Sequence, residues 1–300
     1  MTFIARPCPS PPAPAPVRMG THTLDFRHAR PIMGVLNVTP DSFSDGGLYD
    51  DHARAVRRAV QMLGQGAQII DVGGESTRPG SEPVTLEEEL RRVIPVIEGI
   101  RDSAPQALIS IDTTKAEVAA QACAAGAHMI NDISGLRFDA GMARVAARTG
   151  AALVVMHIQN VPKNMQHNPT YDDVVAHVRA SLARSVAEAT RAGVDPAQIL
   201  VDPGIGFGKT VAHNYALMRH IGEFADMGHA VLLGVSRKSV LGATLGDDRP
   251  ADERVWATAA AVACGIWSGA HMVRVHDVQQ MADVVKIAQA FCGLTVAAAE

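Results

Sequence analysis

Aromatic side chains are scarce in this sequence: Phe, Trp and Tyr together supply 4% of residues. The core cannot rest on large rings. Ala, Val, Ile, Leu and Gly must fill it, which suits tightly packed α/β layers better than an aromatic-rich sandwich. Cysteine is also sparse. Cys8, Cys123, Cys264 and Cys292 are dispersed and form no CxxC pair, so neither a zinc site nor a disulfide framework is indicated. That pattern fits a reducing, cytoplasmic setting. No apolar run approaches the roughly 20 residues of a membrane span. No sign of charge dominates either. The net charge of −4 offers no global field for nucleic acid or an anionic membrane, so an anionic ligand needs a locally built site. A secretory signal is not read, because six prolines between Pro7 and Pro16 leave no apolar stretch there. Residues 1–20 read as a flexible Pro-rich leader outside the fold, and residues 21–300 as one domain.

What is present is ample core material: 47% of the 300 residues are hydrophobic and 19% charged. From residue 31 a rhythm sets in. A short β-rich run ends in a polar cluster, and an amphipathic helical pattern follows. The predicted strands are Pro31–Asn37, Gln68–Val72, Leu108–Asp112, Met129–Asp132, Ala152–His157, Ile199–Asp202, Val231–Val235 and Met272–Val275. They are apolar almost to their last residue, as expected of parallel strands buried on both faces. Val174, Val178, Leu182 and Val186 mark one helical face; Leu86, Leu90, Val93, Ile97 and Ile100 mark another, with Pro95 inside it as an expected kink. Asp252–Ser268 reads as a helix with a small-residue face of Ala257, Ala261 and Gly265. Thr21–Arg30 reads as a small hairpin under the barrel floor. Eight strand–helix repeats predict an α/β fold of the (β/α)8 TIM barrel type; a doubly wound open sheet is the alternative.

Asn37, Asp112, Asn131, Asp132, His157, Asp202, Ser236 and His276 all fall at or just past a predicted strand end. One such residue is ordinary capping before a helix. Repeated on strand after strand, the placement marks the rim where barrel enzymes carry their chemistry. Two polar loops, Asn37–Gly47 and Gly73–Gly80, are longer than simple connections require and read as active-site lids, with structural Ω-loops as the alternative. The run Gly204-Ile205-Gly206-Phe207-Gly208-Lys209-Thr210 lacks the spacing of a nucleotide phosphate loop, which excludes an ATPase reading.

Several segments in order resemble the dihydropteroate synthase family. They are Met33–Gly47, Asp71–Gly80, Ser110–Lys115, Ile130–Asp132, Asp202–Thr210, Gly234–Ser239 and Arg274–Asp277. The resemblance spans about residues 31–291. It implies a barrel that joins 6-hydroxymethyl-7,8-dihydropterin pyrophosphate to 4-aminobenzoate, with magnesium assisting. By resemblance, Asp112, Asn131, Asp202 and Lys238 bind the pterin. Asn37, Arg78, Arg274 and His276 surround the pyrophosphate and magnesium, with Asn37 as the direct metal ligand. Thr77, Pro79, Phe207, Lys238 and Ser239 serve 4-aminobenzoate. Asp112, Lys238 and Arg78 are the implied catalytic residues. Met156 and Ile133 either pack on the ring faces or simply fill the core. A homodimer is implied as well. A pterin-binding methyltransferase domain is the nearest rival, although it has no need of the Ser-Thr-Arg loop or the Ser-Arg-Lys-Ser run. Two residues depart from the family: Thr114 where Ser is common, and Asn160 where Gly is frequent.

Overall fold

The computed structural model describes residues 14–39, 47–77, 80–246 and 249–294, without the side chains of 47–50. Eight parallel strands close into a barrel. They are β3 (Ile32–Asn37), β4 (Ile69–Gly73), β5 (Leu108–Asp112), β6 (Met129–Asp132), β7 (Ala152–Met156), β8 (Ile199–Asp202), β9 (Ala230–Leu233) and β10 (Met272–Val275). Closure comes from β10 pairing with β3, Arg274 beside Met33, which rules out the open-sheet alternative. The helices are α1 (Gly47–Gly64), α2 (Leu86–Ser103), α3 (Ala116–Ala125), α4 (Met142–Thr149), α5 (Val174–Arg191), α6 (Val211–Arg219), α7 (Ile221–Ala225), α8 (Ser239–Leu245), α9 (Val255–Trp267) and α10 (Val278–Phe291). The α2 helix continues through Pro95. The predicted 252–268 helix begins as a 3-10 turn, Ala251–Arg254, before α9 proper. Gly265 in α9 is required by contact: a Cβ there would fall 2.1 Å from Leu233 Cδ2.

The hairpin differs from expectation. Its strands are β1 (Val17–Met19) and β2 (His22–Leu24), paired antiparallel, so its first arm lies in the segment assigned to the leader. The reason is alternation. Val17 and Met19 are buried around exposed Arg18, and that two-residue period was obscured by the neighbouring prolines. Together with Leu24 and Phe26 they pack under Met33, Ile69, Met129 and Met272 inside the barrel. The floor is thereby closed and apolar.

Strand starts at this floor have unpaired backbone groups, and side chains satisfy them in alternation. The residue just before β4, Gln68, accepts the N–H of Ile32 at 2.7 Å. His128, before β6, accepts from Ile109 at 3.3 Å, and His271, before β10, accepts from Val231 at 3.1 Å. Gln198, before β8, donates to the carbonyl of Gly150 at 2.6 Å. Each spoke ties one strand to its predecessor. The opposite end is left for polar side chains.

Candidate active site

Register brings the expected rim residues into a row. Asn37 pairs with Gly73, Gly73 with Asp112, and Asp112 with Asn131. Across the barrel, Met156 pairs with Asp202. Side chains alternate inward, so Asp71, Asp112, Asn131, Asp202 and Arg274 share the interior. Two glycines keep this interior open. A Cβ at Gly73 would lie 3.5 Å from Asp112 Cβ, and one at Gly234 would lie 3.8 Å from Asp202 Oδ2.

The geometry is that of a charged, buried bowl. Arg274 donates from Nε to Asp71 Oδ2 at 2.6 Å and from Nη2 to Asp112 Oδ2 at 2.7 Å. Asn131 Nδ2 donates to the same Asp71 oxygen at 3.0 Å. Asp202 accepts the N–H of Gly204 at 2.7 Å, which ties the strand end to its loop. Lys238 places Nζ 3.9 Å from the centre of the Phe207 ring. Phe207 belongs to an apolar cluster with Ile133, Met156, Ile158 and Met165, so one wall of the bowl is greasy and the other ionic.

Burial sets the proton affinities. It pushes Asp112 up to about 7; Arg274 opposes the shift, while Asp71 and Glu89 add to it. Burial likewise pushes Asp202 up to about 6, against the Gly204 N–H and the charge of Lys238. Lys238 is drawn down to about 8 by burial and by Arg274. Burial works against the charge of Arg274, but Asp71 and Asp112 outweigh it and the guanidinium stays protonated. His276 falls to about 3 through burial and the nearby Arg274 and Arg237, so it is neutral. Ser236 Oγ accepts the His276 backbone N–H at 3.2 Å and lies 3.0 Å from its Nδ1. Nδ1 is engaged by Ser236, which leaves Nε2 as the ring nitrogen free to meet a ligand.

The loops that carry these groups are fastened. Arg237 adopts φ +61, and its guanidinium pairs with both oxygens of Asp277 at 2.5 and 3.0 Å. That outward anchor turns the next residue, Lys238, toward the bowl. Lys209 is buried and donates to the carbonyl of Phe207 at 2.9 Å, with His157 Nδ1 at 3.0 Å. Gly204 has φ +71, and a Cβ there would meet His157 O at 1.9 Å, so only glycine fits this loop. The second long loop is held by Lys115, which bridges Glu75 and Glu89 at 2.5 Å each. Asn160 has φ +62, a left-handed conformation that glycine adopts freely and Asn tolerates.

Thus Asp112, Asn131, Asp202, Lys238, Phe207 and Arg274 come together, with His276 beside them. Asn37 stands half-buried at the head of the rim row. Thr77 is half-buried on the second loop and Ser239 is exposed at the start of α8; among the described residues neither hydrogen-bonds to the buried group. Arg78 and Pro79, and the centre of the first loop, lie outside the described residues. Asp132, expected at the rim, turns away to cap its own loop through the N–H groups of Ser134 and Leu136. Sequence reasoning missed Asp71. Its signal was a lone carboxylate in the apolar run Ile69–Gly73. It also missed Lys209, which has no such signal beyond its place after Gly208.

A family model described as pterin binding enzyme matches residues 33–276. A dihydropteroate synthase of Synechocystis sp. is 46% identical over 277 residues, covering 92% of this chain and 95% of that protein. The chain belongs to the dihydropteroate synthase family. Solved structures agree. A Yersinia pestis dihydropteroate synthase in complex with a sulfonamide drug superposes with a TM-score of 0.85 at 41% identity, covering 92% of this chain and 98% of that one. A Xanthomonas albilineans dihydropteroate synthase with 4-aminobenzoic acid gives a TM-score of 0.85 at 40% identity over the same shares. The matched span of the pterin binding family begins at Met33 and ends at His276, so it takes in the barrel strands from the second residue of β3 to the end of β10.

Proposed function

We infer that this protein condenses 6-hydroxymethyl-7,8-dihydropterin pyrophosphate with 4-aminobenzoate, giving 7,8-dihydropteroate and pyrophosphate. The observation that carries the reading is the bowl itself. Buried Asp112, Asn131 and Asp202 gather with Lys238 and Arg274 at one end of the barrel, beside the apolar cluster of Met156, Ile133 and Phe207. A flat heterocycle with a donor–acceptor edge fits those demands. Asp202 takes the 2-amino group and ring N–H of the pterin as a two-point contact. Asp112 stabilises positive charge that develops on the ring as the C–O bond breaks. The 4-aminobenzoate nitrogen forms a bond to the exocyclic methylene carbon. The electron pair of the broken C–O bond leaves with pyrophosphate, and the amine proton is lost to solvent or to that anion. Positioning and electrostatics do the work.

In the tautomer that carries its proton on Nε2, neutral His276 donates to the leaving oxygens, as does Arg274 through Nη1; Arg78 is assigned there by family pattern. Magnesium fits Asn37, whose amide makes no hydrogen bond among the described residues and stands half-buried at the rim. The same residues hold no group of three or more His, Cys, Asp or Glu side chains suited to a metal, so oxygens of pyrophosphate and water would complete its shell. When bound, magnesium neutralises charge on the leaving group. Thr77, Phe207, Lys238 and Ser239 receive 4-aminobenzoate. A sulfonamide, which mimics that substrate, competes there.

Two finer assignments belong to the same reading. The protein works as a homodimer, for which the exposed apolar stripe on α9 speaks. It works in the cytoplasm, with which free Cys123, Cys264 and Cys292 agree. No helix of the described residues is long and apolar enough to cross a membrane. The test is a coupled assay with both substrates and magnesium. Pyrophosphate should be released only when both substrates are present, together with dihydropteroate. Release from the pterin alone at the full rate would overturn the transfer.

A further inference from the structure

Asp71 sits one layer beneath the pocket, fully buried in the middle of β4, with Val35 and Ser110 as its register partners. It touches no bowl opening. Its single oxygen Oδ2 nevertheless takes two hydrogen bonds, from Arg274 Nε at 2.6 Å and Asn131 Nδ2 at 3.0 Å. A carboxylate can only accept. Asn131 must therefore turn its NH2 group down to Asp71, which leaves its carbonyl oxygen for the pocket. Arg274 is constrained in the same way. With Nε on Asp71 and Nη2 on Asp112, its plane is set and Nη1 is the donor left over. Without Asp71, the guanidinium is free to take Asp112 by both oxygens and mask it, and the Asn131 amide is free to flip.

We propose that Asp71 is a positioning residue for pterin recognition, fixing from below which faces of Asn131 and Arg274 the ligand meets. The consequence is a defined code at the pocket floor: an acceptor from Asn131, an acceptor from Asp112 and a donor from Arg274. The ligand edge that satisfies it presents N–H groups to the first two and an acceptor or anion to the third. This rests on the pterin reading above. It goes beyond that reading by assigning the pocket's selectivity to a residue the ligand does not touch.

The Oδ1 atom of Asp71 and the hydroxyl of Ser110 have no hydrogen-bond partner and are both buried. This makes Asp71→Asn an informative variant. Its amide oxygen can replace Oδ2 as acceptor for Arg274 and Asn131, while its NH2 group takes the Oδ1 position. Hydrogen bonds survive and the charge is lost. Asp71→Ala removes both.

The experiment is calorimetric titration of wild type, Asp71→Asn and Asp71→Ala with 6-hydroxymethylpterin, alongside steady-state kinetics with each substrate varied. Pterin affinity should fall about tenfold or more in the Ala variant, the weight of a lost charge-assisted bond. The Asn variant should fall less, as partial rescue. KM for 4-aminobenzoate should stay near the wild-type value in both. Unchanged pterin affinity in Asp71→Asn and Asp71→Ala would overturn the proposal. So would a parallel rise in both KM values, which marks general loosening. If the Ala variant does not fold, the Asn variant decides alone: unchanged affinity overturns the role, and a several-fold loss confined to the pterin supports it. A wild type that binds no pterin would overturn the pterin reading instead, a different result from equal binding by wild type and variants.

Discussion

Lys238 and Phe207 meet face to cation, with the ammonium 3.9 Å from the ring centre. The contact joins the loop after β8 to the loop after β9, and Gly206 makes room for it, since a Cβ there would lie 3.1 Å from Lys238 Cδ. Such a pair is worth about 0.5–2 kcal/mol. It orients the ammonium toward the pocket where pterin and 4-aminobenzoate would adjoin. Phe207→Leu keeps the bulk and removes the ring face. We expect KM for 4-aminobenzoate to rise about threefold to thirtyfold, with a smaller change for the pterin. Initial rates with each substrate varied decide it; an unchanged KM for 4-aminobenzoate would remove Phe207 from that subsite.

Acid should switch the enzyme off earlier than an ordinary carboxylate would. Burial holds Asp112 near 7 and Asp202 near 6. Pterin N–H groups need ionised acceptors, so kcat/KM for the pterin falls as pH drops through that range. The inflections belong to the cluster of Asp112, Asp202, Lys238 and Arg274 rather than to one residue. A pH profile from 5 to 8 tests this, and a flat profile down to pH 5 would refute it. Asp202→Asn should raise KM for the pterin about tenfold or more and change the shape of the profile.

How much of this was legible beforehand follows from periodicity. Strand runs such as Leu108–Asp112 and Met129–Asp132 were readable to the residue, because a short apolar stretch ending in a polar residue suits a buried parallel strand and little else. Asp112, Asn131 and Asp202 were visible for the same reason. Asp71 was not, since a carboxylate inside a strand carries no mark of which neighbours it will hold. The Lys115 bridge to Glu75 and Glu89 joins residues 40 and 26 positions apart, a pairing that depends on β4 and β5 lying side by side with α2 packed beside them. The start of the hairpin was hidden by prolines beside Val17. The alternating floor spokes had no signal, because Gln68, His128, Gln198 and His271 differ in chemistry and share only a place.

That shared place makes His271 testable. It is fully buried, and its Nδ1 accepts the N–H of Val231. Burial, with Arg30 nearby, lowers it to about 3. A histidine whose folded pKa lies below its unfolded value contributes stability that is complete above about 6.5 and is lost as pH falls toward 3. Gln68 performs the same task without titrating. His271→Gln should therefore lose less melting temperature than wild type between pH 7 and pH 4. Equal losses on acidification would show that His271 does not carry this part of the acid sensitivity.

The outer face of α9 carries no charge along its whole length, Val255–Trp267. Trp256, Ala260, Cys264 and Trp267 form an exposed stripe there, and Trp256 is 81% exposed. A surface helix normally turns a polar face to water, so an apolar outer stripe calls for cover. A second copy of the chain is the cover the homodimer reading assigns. Trp256→Glu would place a charge within that contact, at a cost of several kcal/mol if it is buried unpaired. Sedimentation at micromolar concentration should show a dimer for wild type and a monomer for the variant. Asp112, Asn131, Asp202, Lys238 and Arg274 all come from one chain, so the monomer should keep turnover within a few-fold of wild type. A wild type that sediments as a monomer, or a Trp256→Glu protein that remains dimeric, would take the interface away from α9.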